Sequence, residues 1–509
     1  MDTFNDAFTE AKLSAYFPGL VDICTNEDGQ LIYAIIKDGE LIFASEYATE
    51  TQVSTIPERE HFPFSIPRAS EVSKYYNQED KTLYDDLLDF LKRFSALDDE
   101  QWAVVAHYVF LTYLHDHPEI DYCGYILFHA VPERGKSRTG KSVVYVAFRG
   151  IHLVELREAT IFRYSHRLHG TLFFDLQDIS KKAERNGCDD ILLLRAEKGG
   201  KCCRVQNPEQ GAFNDMVYYD IYGPTIIASN EPLHKILETR CLPIIMPNRP
   251  GNYENPRPEL GLELKERLTA WRAKHLCATF GDIEPKEGIS GRLWDITKPM
   301  FFINSLLPVD SHVLESSIIA IAGEKDESKK DSLEGRLVAI IKEITDENGL
   351  DRYLEWSIKV NEIRTKYNEG KPEERHVSPQ WLGKRLKQMS LRNRLVHGYA
   401  EIKINCDEYA LLLKQYGYAG RESANSTNSL PDSLPKNDEQ NQSLLRVVEN
   451  GRECAQGRAA LEFNSPSERE FYEERRQAYQ DEGGKSQEEI EALLQKDLAE
   501  WRSYDECPF

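Results

Sequence analysis

The 509-residue chain is poor in cysteine, in long apolar runs and in positive charge. Its 10 cysteines are too sparse for a disulfide scaffold, and none lies in a Cys-x-x-Cys pair that would indicate a zinc ribbon or a redox centre. The longest apolar stretch, 103–114, falls short of the roughly 18 residues that a membrane span needs. Sixty-three Lys and Arg against 85 Asp and Glu give a net charge of -22, which argues against global attraction to nucleic acid or an anionic membrane.

What the chain does contain is enough to build several cores. Its hydrophobic fraction is 40% and its aromatic fraction 10%, and a length of 509 residues favours about three domains. The first residues include Asp2, Asp6 and Glu10, with no basic start and no apolar run behind them, so we expect no signal peptide. The sequence therefore predicts a cytoplasmic protein with reduced thiols and no membrane contact.

The first third of the pattern predicts a small sheet followed by helices. Short β-type runs between Leu20 and Ser45 are separated by turn residues, among them Asp38-Gly39, which favours a tight hairpin. Apolar residues at helical spacing then run from Tyr84 to Phe94, and Asp98 opens a buried helix that continues to Leu114. We assign 1–72 to an N-terminal β-hairpin domain and 73–119 to a helical segment.

Residues 120–250 show the pattern of an α/β unit with a mainly parallel sheet. Short apolar runs alternate with helical stretches, and a segment rich in Pro and Asn follows at 248–258. Residues 251–330 predict a helical lid that ends in a charged loop at 323–330. The strands are expected at 125–131, 152–154, 171–174, 218–229 and 242–246, and the lid helices at 262–276 and 296–307.

Residues 331–420 predict a separate compact unit. Helices are expected at 333–345, 359–367 and 379–389, followed by two short strands around Gly398 and a helix at 407–416. Three helices followed by a short hairpin resemble a winged helix. Residues 421–509 form a flexible linker and a tail with 20 acidic and 11 basic side chains, in which 486–501 predicts an amphipathic helix for a protein partner.

The strongest motif fits the G-x-x-x-x-G-K-[ST] pattern of a phosphate-binding loop, and it reads Gly135-Lys136-Ser137-Arg138-Thr139-Gly140-Lys141-Ser142. It follows the predicted strand 125–131, and a helix is expected to start at Lys141. In such loops, backbone N–H groups face the phosphates, the lysine reaches the β and γ phosphates and the hydroxyl ligates Mg2+. The pattern predicts that residues 135–142 bind ATP, with Ser142 on Mg2+. The alternative is a glycine-rich turn with solvated lysines.

Further polar residues follow the later strands. Asp175 ends an apolar run and is expected to hold the metal. Leu176 stands where many ATPases have a catalytic Glu, so either Asp178 serves as the base or hydrolysis is slow. Asn230, at the tip of the strand ending at Ser229, would orient the lytic water. Arg240 would stabilise transition-state charge. Helix caps and turn residues are the alternative explanations for these side chains.

The succession Lys141, Asp175, Asn230, Arg240 resembles the AAA+ class of P-loop ATPases, including superfamily 3 helicases. The segments 131–141, Gly223-Pro224-Thr225-Ile226-Ile227-Ala228 and Glu238-Thr239-Arg240 are similar to helicase or primase-associated ATPases of bacterial and archaeal mobile elements. The resemblance covers about 15–420. It implies a homo-oligomeric, hexameric ring, a DNA-replication role, and a lid residue that senses the γ-phosphate, for which Arg292 or Lys298 is the candidate.

Two local features favour DNA as the partner. Residues 352–404 carry 12 basic and 6 acidic side chains, an inversion of the overall charge. A loop at 198–201 lies between the strand ending at Asp175 and the strand ending at Ser229. The resemblance to superfamily 3 motors implies a DNA-binding hairpin in this interval. The candidate DNA-binding residues are Lys201, Arg204, Lys384, Arg385, Lys387, Arg392 and Arg394. A protein-binding winged helix and an ordinary turn are the alternatives.

These observations predict an ATP hydrolase that forms a ring and translocates or unwinds DNA. A second hypothesis is a nucleotide-dependent scaffold or regulator with weak or no hydrolysis, which Leu176 and the tail helix favour.

Overall fold

The computed structural model describes residues 11–49, 52–206, 211, 215–372, 375–391, 393–396 and 399–418. All of them belong to the first of two compact units, Met1–Ser426, and the second unit, Thr427–Phe509, lies outside the described residues. The predicted acidic tail and its helix at 486–501 therefore lie outside them too. Within the described part of the chain, no helix combines the length and apolarity that crossing a membrane requires.

Two small three-stranded sheets open the chain. One is antiparallel with the order β2-β3-β4, and the predicted hairpin turn is present with positive φ at both Asp38 and Gly39. The other has the order β1-β6-β5, in which β1 and β6 are parallel. The strands are β1 (Ala11–Leu13), β2 (Leu20–Thr25), β3 (Leu31–Lys37), β4 (Glu40–Ala44), β5 (Glu46–Ala48) and β6 (Val53–Thr55).

Three helices follow, α1 (Ala69–Tyr76), α2 (Leu83–Lys92) and α3 (Asp99–Leu114). The predicted start of α3 is confirmed, because Asp98 and Gln101 form a capping box that pairs the first free backbone N–H groups. Every residue of α3 from Trp102 to Leu114 is buried. This helix is therefore a central element of the core.

A five-stranded parallel sheet forms the centre of the molecule, which confirms the predicted α/β class. The strand order is β13-β7-β12-β9-β8. The helices of this region are α4 (Lys136–Val146), α5 (Glu158–Leu168), α6 (Ile179–Arg185), α7 (Asp189–Leu194) and α8 (Lys235–Glu238). The strands are β7 (Tyr125–His129), β8 (Ile151–Leu153), β9 (Leu172–Asp175), β10 (Lys201–Val205), β11 (Met216–Asp220), β12 (Thr225–Ser229) and β13 (Cys241–Ile245).

Both faces of the parallel sheet are covered. Ile126 and Phe128 of β7 belong to a core shared with α3, whereas the alternate residues Tyr125 and Leu127 belong to a second core shared with the N-terminal strands. Side chains alternate between the faces of a strand, so continuous apolar runs are what a doubly covered sheet needs. This explains why the sequence pattern located these strands.

One predicted strand, 218–229, is wrong as a single element. The chain instead forms β11, which pairs with β10 as an antiparallel hairpin, and the separate central strand β12. Gly223 has a φ of 153° and Pro224 has no N–H to donate, so the connection cannot continue either ladder. The hairpin is therefore an insertion in the chain between β9 and β12, and it forms a separate two-stranded sheet.

The lid region contains α9 (Leu262–His275), α10 (Arg292–Ser305) and α11 (Ser311–Asp331). The predicted charged loop at 323–330 is wrong, because these residues continue α11. Ile318, Ile321 and Ala322 bury the apolar side of this helix. Exposed residues such as Glu324 and Glu327 mark its solvated side, which a sequence pattern does not distinguish from a loop.

The last described region has a core of its own, built around residues such as Ile341, Ile363 and Leu386. Its strands form an antiparallel sheet with the order β14-β16-β15, and β14 is a strand that the sequence pattern did not predict. The elements are α12 (Leu333–Asn348), β14 (Glu355–Lys359), α13 (Val360–Asn368), α14 (Pro379–Gln388), β15 (Asn393–Val396), β16 (Tyr399–Asn405) and α15 (Cys406–Gln415).

Candidate nucleotide site

Polar residues gather where the parallel strands end. A loop follows β7, Asp175 is the last residue of β9, and Asn230 directly follows β12. Because β12 lies between β7 and β9, Asn230 lies between the loop and Asp175. Carboxyl ends of parallel strands are the usual ligand sites of open α/β sheets.

Helix α4 begins at Lys136, directly after Gly135, whose φ of 81° lets the chain turn from the loop into the helix. The Nζ of Lys136 donates to the carbonyl oxygens of Ala130 and Val131, each at 2.8 Å. Burial lowers the pKa of Lys136, and the Asp175 carboxylate opposes that shift. This lysine thus bridges the loop at the helix N-terminus, where backbone N–H groups and the helix dipole favour an anion.

The next residue joins the loop to the neighbouring strand. Ser137 Oγ donates to Asp175 Oδ1 at 2.7 Å. The other carboxylate oxygen, Oδ2, lies 3.9 Å from Nε2 of His152. A hydroxyl and a carboxylate held together are hard oxygen donors of the kind that Mg2+ uses alongside substrate phosphates. The pair therefore fits a magnesium site.

The structure corrects the predicted register of the phosphate loop. Lys141 lies five residues into α4, about 7.5 Å further along the helix axis than Lys136. Ser142 is fully buried and donates back to the carbonyl of Thr139 at 2.8 Å. Neither residue is at the helix N-terminus, so the predicted helix start at Lys141, and with it the phosphate contact of Lys141 and the metal contact of Ser142, do not fit this structure.

Gly140 has a packing role rather than a loop role. A Cβ on this residue would lie 2.2 Å from the ring of Phe173, so α4 approaches β9 more closely than any other residue would allow. Thr139 is also buried, and its Oγ1 donates to Ser95 Oγ at 2.6 Å. The second glycine of the sequence motif is therefore explained by helix–sheet contact, which leaves the loop at 130–137.

The loop and the strand ends enclose a cavity of about 490 Å³, which we call the phosphate cavity. Glu133 adopts a φ of 68°, which is uncommon for a residue other than glycine and which marks a constrained loop. Among the described residues, none pairs with the buried Nη1 of Arg134. The lining residues are Pro132, Glu133, Arg134, Gly135, Lys136, Ser137, Arg138, Asp175, Leu176, Gln177, Ala228 and Asn230.

The expected alternative base lies outside this cavity. Asp178 has a φ of 51°, precedes α6 and lies 3.9 Å from Lys181. Leu176, although largely buried, and Gln177 both line the cavity. Glu133 and Asp175 are the carboxylates that line it within the described part of the chain.

Two predicted nucleotide contacts lie at the other end of the sheet. Arg240 directly precedes β13, and its carbonyl accepts from the first residue of β7, Tyr125. Five strand residues separate it from the carboxyl ends, a distance of about 16 Å. Arg292 lies 3.7 Å from Glu197 and over the ring of Tyr122, near the same amino ends. Neither arginine can therefore contact the phosphate cavity of its own chain.

The predicted DNA contacts occupy two regions. Lys201 is exposed at the start of β10, whereas Arg204 forms an ion pair with Glu158 of α5 and lies over the ring of Phe162. In the second region, Lys384 and Lys387 are exposed on α14 and Arg394 is exposed on β15. Arg385 is held by Glu334 at 3.5 Å, and Arg392 lies outside the described residues.

Sequence reasoning overlooked part of the cavity wall. Residues 130–134 and Gln177 were not expected to bind nucleotide, yet they surround Lys136 and Asp175 or line the cavity. One signal was present: residues 130–137 fit the same motif spacing with Ala130 in place of the first glycine, and Ala130 directly follows β7.

No family model matches this chain, and no curated protein does. Among solved structures, it is similar to SCCmec type IV Cch, described as an active helicase, with 13% identity over 80% of this chain and 82% of that one and a TM-score of 0.35. It is also similar to the A-form apo structure of the NrS-1 C-terminal region, with 10% identity over 76% of this chain and 96% of that one and a TM-score of 0.31. Similarities at these TM-scores carry no argument about the site.

Proposed function

We propose that the protein binds ATP with Mg2+ at the carboxyl ends of β7, β9 and β12 and hydrolyses it. The observation that carries this proposal is the 2.7 Å contact between Ser137 and Asp175 at the N-terminus of α4. Lys136 would exchange its two loop carbonyls for phosphate oxygens, and Ser137 and Asp175 would hold the metal ion, which neutralises phosphate charge. Arg134, with its unpartnered nitrogen, would add a further charge-assisted hydrogen bond.

Asn230 supports hydrolysis rather than binding alone. It lines the phosphate cavity on the strand between the other two, where its amide can orient a water molecule. Leu176 favours the second candidate function, a nucleotide-dependent scaffold with weak or no hydrolysis, because its side chain cannot accept a proton. The two functions differ in turnover and not in ATP affinity.

We further propose that copies of the chain assemble in a ring, hexameric by the resemblance. Arg240 supports this because it lies about 16 Å from the phosphates of its own chain and could act only on those of a neighbour. Its Nη1 donates to the Ile236 carbonyl at 3.0 Å, so the half-buried side chain is held beside the start of β13. The tail segment 486–501 remains a proposed contact for a protein partner.

DNA is the proposed partner of the motor. The order helix, strand, helix, helix and two strands from α12 to β16 supports a winged helix, in which α14 would enter a major groove. The exposed residues Lys384 and Lys387 lie on that helix, and Arg394 lies on the wing. We expect substitution of these three to weaken DNA binding and to reduce its salt dependence.

The test is steady-state ATP turnover of the full chain with and without single-stranded DNA. We expect Asp175→Asn and Ser137→Ala each to reduce turnover by about 100-fold, since both remove metal ligands. Asp178→Asn is the matched control and should retain most activity, because Asp178 follows the same end of β9 but does not line the cavity. ATP binding and oligomerisation with negligible turnover would favour the scaffold, and absence of ATP binding would reject both functions.

A further inference from the structure

A second cavity adjoins the phosphate cavity. It has a volume of about 530 Å³, within the range of small-molecule sites, and we call it the side cavity. Three stretches of chain line it: 94–96 between α2 and α3, the loop with the start of α4, and 247–253 after β13. The two cavities share Pro132, Glu133, Arg134, Gly135 and Arg138. A single extended ligand could therefore occupy both.

Residues 247–253 form one wall of the side cavity, which we call the outer wall, and this wall offers an aromatic surface. Tyr253 is half-buried, and a Cβ on Gly251 would lie 2.9 Å from its ring, so the glycine permits the ring to lie against the backbone. A planar base can stack on such a ring.

The outer wall is fastened to the helices across from it. Arg249 pairs with Asp98 at 2.5 Å, and Arg93 pairs with Glu254 at 2.7 Å. The amide of Glu254 also donates to the carbonyl of Arg93. Because these contacts hold the wall on both sides of Tyr253, the ring is positioned before any ligand arrives.

Glu133 stands at the boundary between the cavities. A carboxylate beside a polyphosphate is unfavourable unless it accepts hydrogen bonds, and the group between the phosphates and the base of a nucleotide is a sugar with hydroxyl donors. The loop keeps this residue in the left-handed region, with a φ of 68°, where glycine would be less strained. Carboxylates recognise ribose hydroxyls in the same manner at dinucleotide sites.

We propose that the side cavity is the nucleoside subsite, in which the base stacks on Tyr253 and the ribose hydroxyls bind Glu133, so that the protein selects ribonucleotides over deoxyribonucleotides. The inference rests on the proposed function, because the phosphate cavity must bind the triphosphate. It adds the identity of the sugar and the location of the base.

The experiment measures dissociation constants of the full chain for Mg2+ complexes of ATP, dATP and inorganic tripolyphosphate by calorimetry. Tripolyphosphate reports on the phosphate cavity alone. We expect ATP to bind at least about tenfold more tightly than tripolyphosphate and about tenfold more tightly than dATP, since one hydrogen bond to a charged group is lost. Equal affinities for ATP and tripolyphosphate would overturn the subsite and leave the phosphate site intact.

Two variants separate the contributions. Glu133→Ala should bring the ATP and dATP constants within about twofold, while tripolyphosphate binds as tightly as before or more tightly. Tyr253→Ala should weaken ATP about tenfold and leave tripolyphosphate unchanged. Tyr353→Ala, at an exposed position that lines neither cavity, is the control. Equal weakening of all ligands by Tyr253→Ala contradicts the proposal, and failure of wild-type protein to bind even tripolyphosphate rejects the proposed function as well.

Discussion

Two arginines at opposite ends of the parallel sheet, Arg195 and Arg134, differ in how their nitrogens are paired. At the amino ends, Arg195 is fully buried and donates to the carbonyls of Gly170, Ile221 and Pro224 and to the hydroxyls of Thr225 and Ser165. At the carboxyl ends, Arg134 keeps a buried nitrogen without a partner among the described residues. Among the described residues, Nη2 of Arg149 beside β8 is also unpaired, but Arg134 differs because it lines both cavities, which supports the proposed ligand site at the carboxyl ends.

The largest expected effect is at the amino ends of the sheet, where Arg195 is fully paired. Arg195→Met would leave several buried carbonyls unpaired, and we expect the free energy of unfolding to fall by about 4 kcal/mol. The measurement is denaturant unfolding, with Arg134→Met as the matched variant that should change stability by less than about 1 kcal/mol. Similar losses in the two variants would contradict the comparison.

Two lysines of α4 test the proposed site at the carboxyl ends of the sheet. Lys136→Ala should reduce ATP turnover by about 100-fold or more, because the residue proposed to bind the phosphates is lost. Lys141→Ala should change turnover by less than about threefold, since its position on α4 is beyond the loop. Steady-state kinetics decide the register: the reverse pattern would restore the loop expected at 135–142.

Low pH should lower the free energy of unfolding through His115. His115 is fully buried among Phe148 and Tyr222, and burial lowers its pKa to about 4. The neutral ring contributes stability above its ordinary pKa of about 6.5, and that contribution is lost as pH falls toward 4. From pH 7.5 to 5 we expect His115 to account for about 2 kcal/mol of unfolding free energy. Unfolding of His115→Gln should show a correspondingly smaller change with pH, and an unchanged slope would exclude this residue.

The smallest effect concerns a lysine near Arg240. Lys325 of α11 reaches the amino end of β13, and its Nζ donates to the carbonyl of Cys241 at 2.7 Å. Lys325→Met should lower the free energy of unfolding by about 1 kcal/mol, because the buried carbonyl loses its partner. Lys329→Met, on the exposed side of the same helix, should have no measurable effect in thermal unfolding.

The sheet was predictable because a doubly covered parallel sheet requires continuous apolar runs, and those runs stand in the sequence. The loop register was not, because Gly-Lys-Ser occurs at 135–137 and again at 140–142, and only the approach of α4 to Phe173 shows that the second glycine serves packing. The roles of Arg240 and Arg292 depended on the end of the sheet near which each residue lies, and the role of Asp178 depended on the path of the chain between β9 and α6. The side cavity gave no sequence signal, since 94–96 and 247–253 meet only in the folded chain.

The Gly140–Phe173 contact has a consequence that reaches beyond packing. Ser137 belongs to α4 and Asp175 to β9, so the gap between their oxygens follows the separation of these two elements. A methyl group at 140 would collide with the ring of Phe173 and push α4 away from β9, without touching either oxygen. The width of the proposed metal site is thus set by a residue that has no side chain.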